Sequence, residues 1–164
     1  MFKTLSTSAG WFFIAATLLG ALARPLPADI FRWDTGQLIP GTAGIKPQPN
    51  LALYYWNTDG HNLRYANFSG SLNLSKSTFS SSWLDYADFT QANLTGAKLY
   101  STTLTNANFT RANLTGAKLY STTLTNANFA GANLTGVYLY QTTLTNANLS
   151  GAVLTGADFT DTTS

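Results

Sequence analysis

The sequence predicts an all-β fold, a solenoid in which four short sides make one coil and like coils stack on one another. Three observations carry this expectation. From His61 onward Leu or Phe recurs at 63 and 68 and then, after a one-residue slip, at every fifth position from 74 to 159, giving 18 unbroken repeats after the slip. A period of five belongs to neither a helix nor an ordinary strand. Residues 91–110 and 111–130 agree at 18 of 20 positions, differing only at Gln91/Arg111 and Thr110/Ala130, so four five-residue units form one larger unit. Two residues before each centre the side chain is small (Ala87, Ala92, Ala97, Ala107), and the position between is usually Asn or Asp. Residues two apart in an extended chain face the same way, so Ala and Leu point inward while the Asn between and the Thr after point out. The fifth residue, often Gly, turns the corner.

Stacking like coils sets each backbone about 4.7–4.9 Å from the next and places Phe89, Phe109 and Phe129 in one interior ladder. Each buried Leu or Phe is worth roughly 1.5–3 kcal/mol, and a single coil cannot bury its own, so the coils must stack. Residues 61–161 supply about five coils of 20 residues. Thr102, Thr122 and Thr142 occupy the inward small position, where their hydroxyls are expected to bond within the wall or to each other.

The chain before the repeats divides in two. Residues 1–28 carry Lys3, an apolar run from Trp11 to Leu22, and Ala-Leu-Ala at Ala21–Ala23, the pattern of a signal peptide cleaved after Ala23 or Ala28. The run is 12 residues, short of the roughly 18 to 20 that span a bilayer, so membrane contact is expected only in transit. Residues 29–60 form a lead-in that holds three of the five prolines, with Ile30–Trp33 and Gln37–Ile39 flanking a turn at Asp34-Thr35-Gly36 and a further strand at Leu51–Trp56. This β-rich segment is expected to cover the first coil, with Trp33 and Trp56 over its apolar interior. At the other end residues 162–164 form a tail that leaves the repeat, so the last coil is expected to be uncapped and to offer a surface for a homodimer.

The A-[N/D]-[L/F]-[T/S]-x units over residues 61–161 resemble the pentapeptide-repeat family. The resemblance implies a right-handed, quadrilateral parallel β-helix. Ala28-Asp-Ile-Phe-Arg-Trp33 is similar to the lead-in of secreted bacterial members. Some family members mimic DNA and bind gyrase, but this chain has only Asp158 and Asp161 as acids after residue 88, so that role and any nucleic-acid partner are disfavoured.

Composition removes most catalytic chemistry. There is no Cys and no Glu, the acids are seven Asp, the bases nine Lys and Arg, and His61 is the single histidine. Thiol nucleophiles, disulfides and Cys- or His-rich metal cages are therefore ruled out, and no cofactor or metal is expected. Asp34-Thr35-Gly36 matches the tripeptide of aspartic proteases, yet that chemistry needs two Asp sharing a proton and no second copy exists, so a hairpin turn is the better reading. The Asn-x-Ser/Thr matches at Asn67, Asn73, Asn93, Asn108, Asn113, Asn133 and Asn148 come from the repeat itself and carry no functional weight. No buried acid pair is foreseen, and an enzyme is not expected.

Two outward surfaces remain as candidates. Lys98, Lys118, Tyr138 and Asp158 fall in one column beside Tyr100, Tyr120 and Tyr140, which suits a sugar chain or an anionic polymer, or simply shields the sheet. Thr103-Leu-Thr105, Thr123-Leu-Thr125 and Thr143-Leu-Thr145 make a grid resembling the Thr-x-Thr faces of antifreeze β-helices, although Thr is also an ordinary strand residue. The leading expectation is a secreted or cell-surface, non-catalytic solenoid with an unknown protein or polysaccharide partner. The alternative is a binding module for polysaccharide or ice.

Overall fold

The computed structural model describes residues 30, 32, 35–39, 49, 51 and 63–164. The expected signal segment 1–28, Trp33, Asp34, the strand expected to continue over 52–56 with Trp56, and His61 lie outside the described residues. From Asn73 onward the chain is a ladder of parallel bridges between residues 20 apart: Asn73 with Asn93, Thr78 with Lys98, Trp83 with Thr103, Asp88 with Asn108, and so upward to Thr143 with Thr163. The four bridges in each 20-residue period define four sides. The inward centres of the first side are Leu74, Leu94, Leu114, Leu134 and Leu154, and those of the second are Phe79, Leu99, Leu119, Leu139 and Phe159. The third side has Leu63, Leu84, Leu104, Leu124 and Leu144, and the fourth has Phe68, Phe89, Phe109, Phe129 and Leu149.

The period follows from where the backbone groups find partners. Each central amide from Leu63 to Leu144 donates to the turn above, as Phe89 does to the Asn108 carbonyl (2.7 Å), and the Asn108 amide donates back to Ala87 (2.9 Å). The carbonyl of the centre then accepts from the amide three residues on, as Phe89 does from Ala92 (3.0 Å), closing a tight turn. Every corner residue from Lys76 to Asp161 has φ between 54° and 68°. Gly fills only some of these corners, and Ser, Asn, Gln, Lys, Arg, Tyr and Asp fill the others. A left-handed conformation costs an L-residue about 1 kcal/mol or more, so the hydrogen bonds of each corner must offset it. The slip sits at one such corner. Asn67 pairs with Asp88 at a spacing of 21, and the extra residue is taken up by Gly70 (φ 85°) followed directly by Ser71 (φ 59°). Two consecutive left-handed residues are easiest where the first lacks a Cβ.

Inside, Phe68, Phe89, Phe109 and Phe129 stack with centroids 4.8–5.0 Å apart and planes within 9° of parallel. Phe79 meets Phe68 and Phe89 edge-on at 5.3 and 5.9 Å. Thr102, Thr122 and Thr142 are buried, and their hydroxyls donate to wall carbonyls: Thr122 to Leu99 (3.0 Å) and Thr142 to Leu139 (2.5 Å), with Thr102 reaching Tyr100 (3.2 Å).

The lower end is covered. Arg32 donates its amide to the Gln37 carbonyl (2.9 Å) and Ile39 to that of Ile30 (3.0 Å), as two antiparallel segments do, and Arg32 bridges Ala66 in the antiparallel sense. Ile30, Ile39 and Leu51 are buried in the same cluster as the solenoid leucines, and the Leu51 carbonyl accepts from Thr78 (2.7 Å) as a lower turn would. At the upper end the side-chain motif stops after Phe159, but pairing continues to Thr163. The Thr162 amide reaches the Phe159 carbonyl (3.2 Å), and Thr163 exchanges bonds with Thr142 and Leu144 (2.9 and 2.6 Å). The ladder needs backbone groups, not the Leu of the motif.

Candidate functional site

The bridges place Thr78, Lys98, Lys118, Tyr138 and Asp158 in one outward column of the second side. Across the inward centre lies the column of Tyr100, Tyr120 and Tyr140. Their rings stack with centroids 4.8 Å apart and planes 2° and 6° from parallel. The three rings thus spend their faces on one another, and the middle ring has neither face free. Desolvation first, and then the phenols of Tyr100 and Tyr140, push the Tyr120 hydroxyl above its ordinary value, so it remains a neutral donor through the neutral range. Tyr138 is 46% exposed and has no ring partner among the described residues. An open groove of about 280 Å³ runs between Lys118, Tyr120, Tyr138 and Tyr140. All six residues expected on this surface therefore share one side, but four of them line the groove.

On the third side Thr103, Thr123 and Thr143 are bridged in one column, and Thr163 extends it by a rung. Below Thr103 the column passes to Trp83, with Asp85 beside it. Asp85 is buried and accepts from Arg64 Nε (2.9 Å), the Thr103 hydroxyl (3.1 Å) and the Thr105 amide (3.1 Å). The Arg64 guanidinium also lies over the Trp83 ring at 5.2 Å. Sequence reasoning missed this node, although an acid replacing Thr in an outward column beside a cation was its signal. It also missed the stack of Arg32 over Tyr65 (4.4 Å) and Tyr65 on Tyr86 (4.8 Å), since the slip makes those tyrosines 21 residues apart.

The remaining polar residues brace the wall. Asn93 Oδ1 accepts from the Thr95 amide (3.1 Å) and hydroxyl (2.7 Å), the other Asn-x-Thr units repeat this, and on the fourth side Asn108 Nδ2 donates to Thr90 in the turn below (2.9 Å). Asp88 accepts in the same way from Thr90 (3.0 and 2.6 Å). Asp158 accepts from the Thr160 hydroxyl (2.6 Å) and amide (3.0 Å), which hold its carboxyl below the usual range. Among the described residues no group of three His, Cys, Asp or Glu comes together to hold a metal ion.

A family model of pentapeptide repeats matches residues 73–111, 99–131 and 124–161, which together span more than half of the chain. A solved pentapeptide repeat protein from Nostoc is 30% identical, with a TM-score of 0.50, over 60% of this chain and 85% of that one. A second, from the thylakoid lumen of Arabidopsis thaliana, is 36% identical with a TM-score of 0.48, over 62% of this chain and 66% of that one. A plasmid-mediated fluoroquinolone resistance protein is 19% identical with a TM-score of 0.42. No curated protein sequence matches the chain.

Proposed function

Because the chain belongs to the pentapeptide-repeat family, we propose that it is an exported, non-catalytic solenoid serving as a structural or protein-interaction surface outside a bacterial cell. In this reading the coil is right-handed and about five turns tall, residues 29–60 close its lower end, and residues 1–28 are a signal cleaved after Ala23 or Ala28. One observation carries the non-catalytic part: Asp85, Asp88 and Asp158 each accept hydrogen bonds from their own wall. A general acid or base needs a titratable group aimed into a cleft, whereas these carboxylates brace the rungs. What the solenoid offers a partner is its regular outer surface. Material recovered outside the cytoplasm should begin at Arg24 or Asp29 by mass spectrometry. Exported protein that keeps Met1 would overturn the signal reading.

The continuation of the Thr column to Thr163 supports a second reading, in which the third side binds ice through four rungs of hydroxyls and methyls. An ice-affinity preparation should then retain the protein and lose it on Thr123→Tyr. Equal retention of the two would end this reading.

A further inference from the structure

The second side holds an unbalanced pair of charges. Lys98 and Lys118 are bridged neighbours, and neither forms an ion pair with an acid among the described residues, where Arg64 pairs with Asp85. Like charges on adjacent rungs repel, so a ligand that brings negative charge to this column removes an existing cost. One rung above Lys118 stands Tyr138, whose ring has no aromatic partner among the described residues. Tyr120 and Tyr140 form the far wall of the groove and offer hydroxyls at the edges of stacked rings.

The geometry points to a binding site for an acidic polysaccharide, a polyuronate, lying along the solenoid axis with a carboxylate at Lys118 and a sugar face on Tyr138. A uronate residue carries both features the groove asks for, a negative group and an apolar C–H face that packs on a ring. A neutral glucan lacks the first. A single-stranded nucleic acid draws its affinity from bases stacked on several free rings and from a run of cations, and this groove has one unstacked ring. Lys98 continues the charged track one rung down, and Asp158 closes it one rung above Tyr138. The Asp158 carboxyl, bonded by Thr160, stays negative and repels a further uronate.

This site rests on the reading of the outer surface as an interaction surface, but it can fail while export and N-terminal processing hold. The test is affinity electrophoresis of the purified chain in gels containing polygalacturonate, dextran or single-stranded DNA at equal salt. Polygalacturonate should retard the protein, and dextran and DNA should not. Lys118→Gln and Tyr138→Ala should each weaken retardation roughly fivefold, as expected for an exposed charge or ring contact, and Asp158→Asn should strengthen it. Thr123→Ser on the third side should leave it unchanged. Absence of retardation, equal retardation by DNA, or retardation indifferent to both Lys118→Gln and Tyr138→Ala would overturn the assignment. All of these substitutions point outward, and matching melting curves will show that each variant is folded.

Discussion

Leu114, Leu134 and Leu154 occupy the same inward position on the same side of the solenoid, yet the first two are fully buried and the third is 39% exposed. The adjoining outward position, Asn113 and Asn133 lower down, becomes Val153, which is 50% exposed. Side-chain type and backbone are shared along the leucine column, and what changes is whether a described turn lies above. At the opposite end Leu63 has no repeat below it and is still fully buried, in a cluster with Ile30, Ile39 and Leu51. The motif decides which way a residue points, and the neighbouring layer decides whether pointing inward removes it from water. A non-repetitive segment can supply that layer as well as a repeat can.

The sharpest test is to put the same charge at two levels of this column. Leu114→Asp leaves an unpaired carboxylate among apolar ladders and should cost about 4 kcal/mol or more, enough to unfold the solenoid. Leu154→Asp, in the exposed layer, should cost about 1 kcal/mol or less. Thermal melts that fall by the same amount in both variants would break the argument that burial comes from the layer above.

The next test uses the open layer itself. The central amides of Leu149, Leu154 and Phe159 have no backbone acceptor among the described residues, and Leu154 and Val153 add exposed apolar surface beside them. Such an edge pairs readily with another chain, and a second copy related by a two-fold axis would close it. The 164-residue chain should therefore be dimeric by light scattering at micromolar concentration, and Leu154→Lys should return it to the monomer. A clean monomer in the unmodified chain would mean that Thr163 and its neighbours suffice as a cap.

Much of this was legible in the sequence, for a physical reason. In a ladder of period 20 every bridged pair is fixed by arithmetic, so the inward Leu104 and Ala107, the Lys98–Lys118 column and the Thr103–Thr143 column could all be placed before any coordinates. Arithmetic does not give side-chain torsions. It put Tyr100, Tyr120 and Tyr140 in one column but not face to face, and that orientation decides whether a sugar could stack on them. Nor does it reach segments outside the repeat, and so Arg32 over Tyr65 and Ile39 beneath the core came from the structure. The corners were half legible: Gly announced some of them, but Ser121, Gln141 and Arg111 take the same left-handed conformation without any local preference for it.

That last contrast gives a smaller effect within the regular middle. Gly116 has φ 64°, and a Cβ placed on it meets no atom within 4 Å. Gly116→Ala should therefore cost only the backbone strain, about 1 kcal/mol, with no steric addition. At Ser121 (φ 54°) that strain is already present, so Ser121→Ala should change stability by less than about 0.5 kcal/mol. Chemical denaturation of the pair measures the difference, and equal losses would show that corners are held by something other than conformational preference.

The smallest expected effect repeats the comparison inside the tyrosine ladder, where Tyr120 alone has a stacked ring both above and below. Desolvation, followed by the Tyr100 and Tyr140 phenols, raises its pKa above the ordinary 10.0. A raised folded-state value means that the folded chain holds this proton more tightly than the unfolded chain. The resulting contribution to stability is fully present below the unfolded phenol value and is lost as pH rises through the folded one. Denaturant melts taken across about pH 9 to 11 should thus show stability declining with pH, and Tyr120→Phe should make that decline shallower by removing one linked proton. If Tyr120→Phe leaves the slope unchanged, stacking between two rings does not disfavour the phenolate, and the middle of the ladder is no different from its ends.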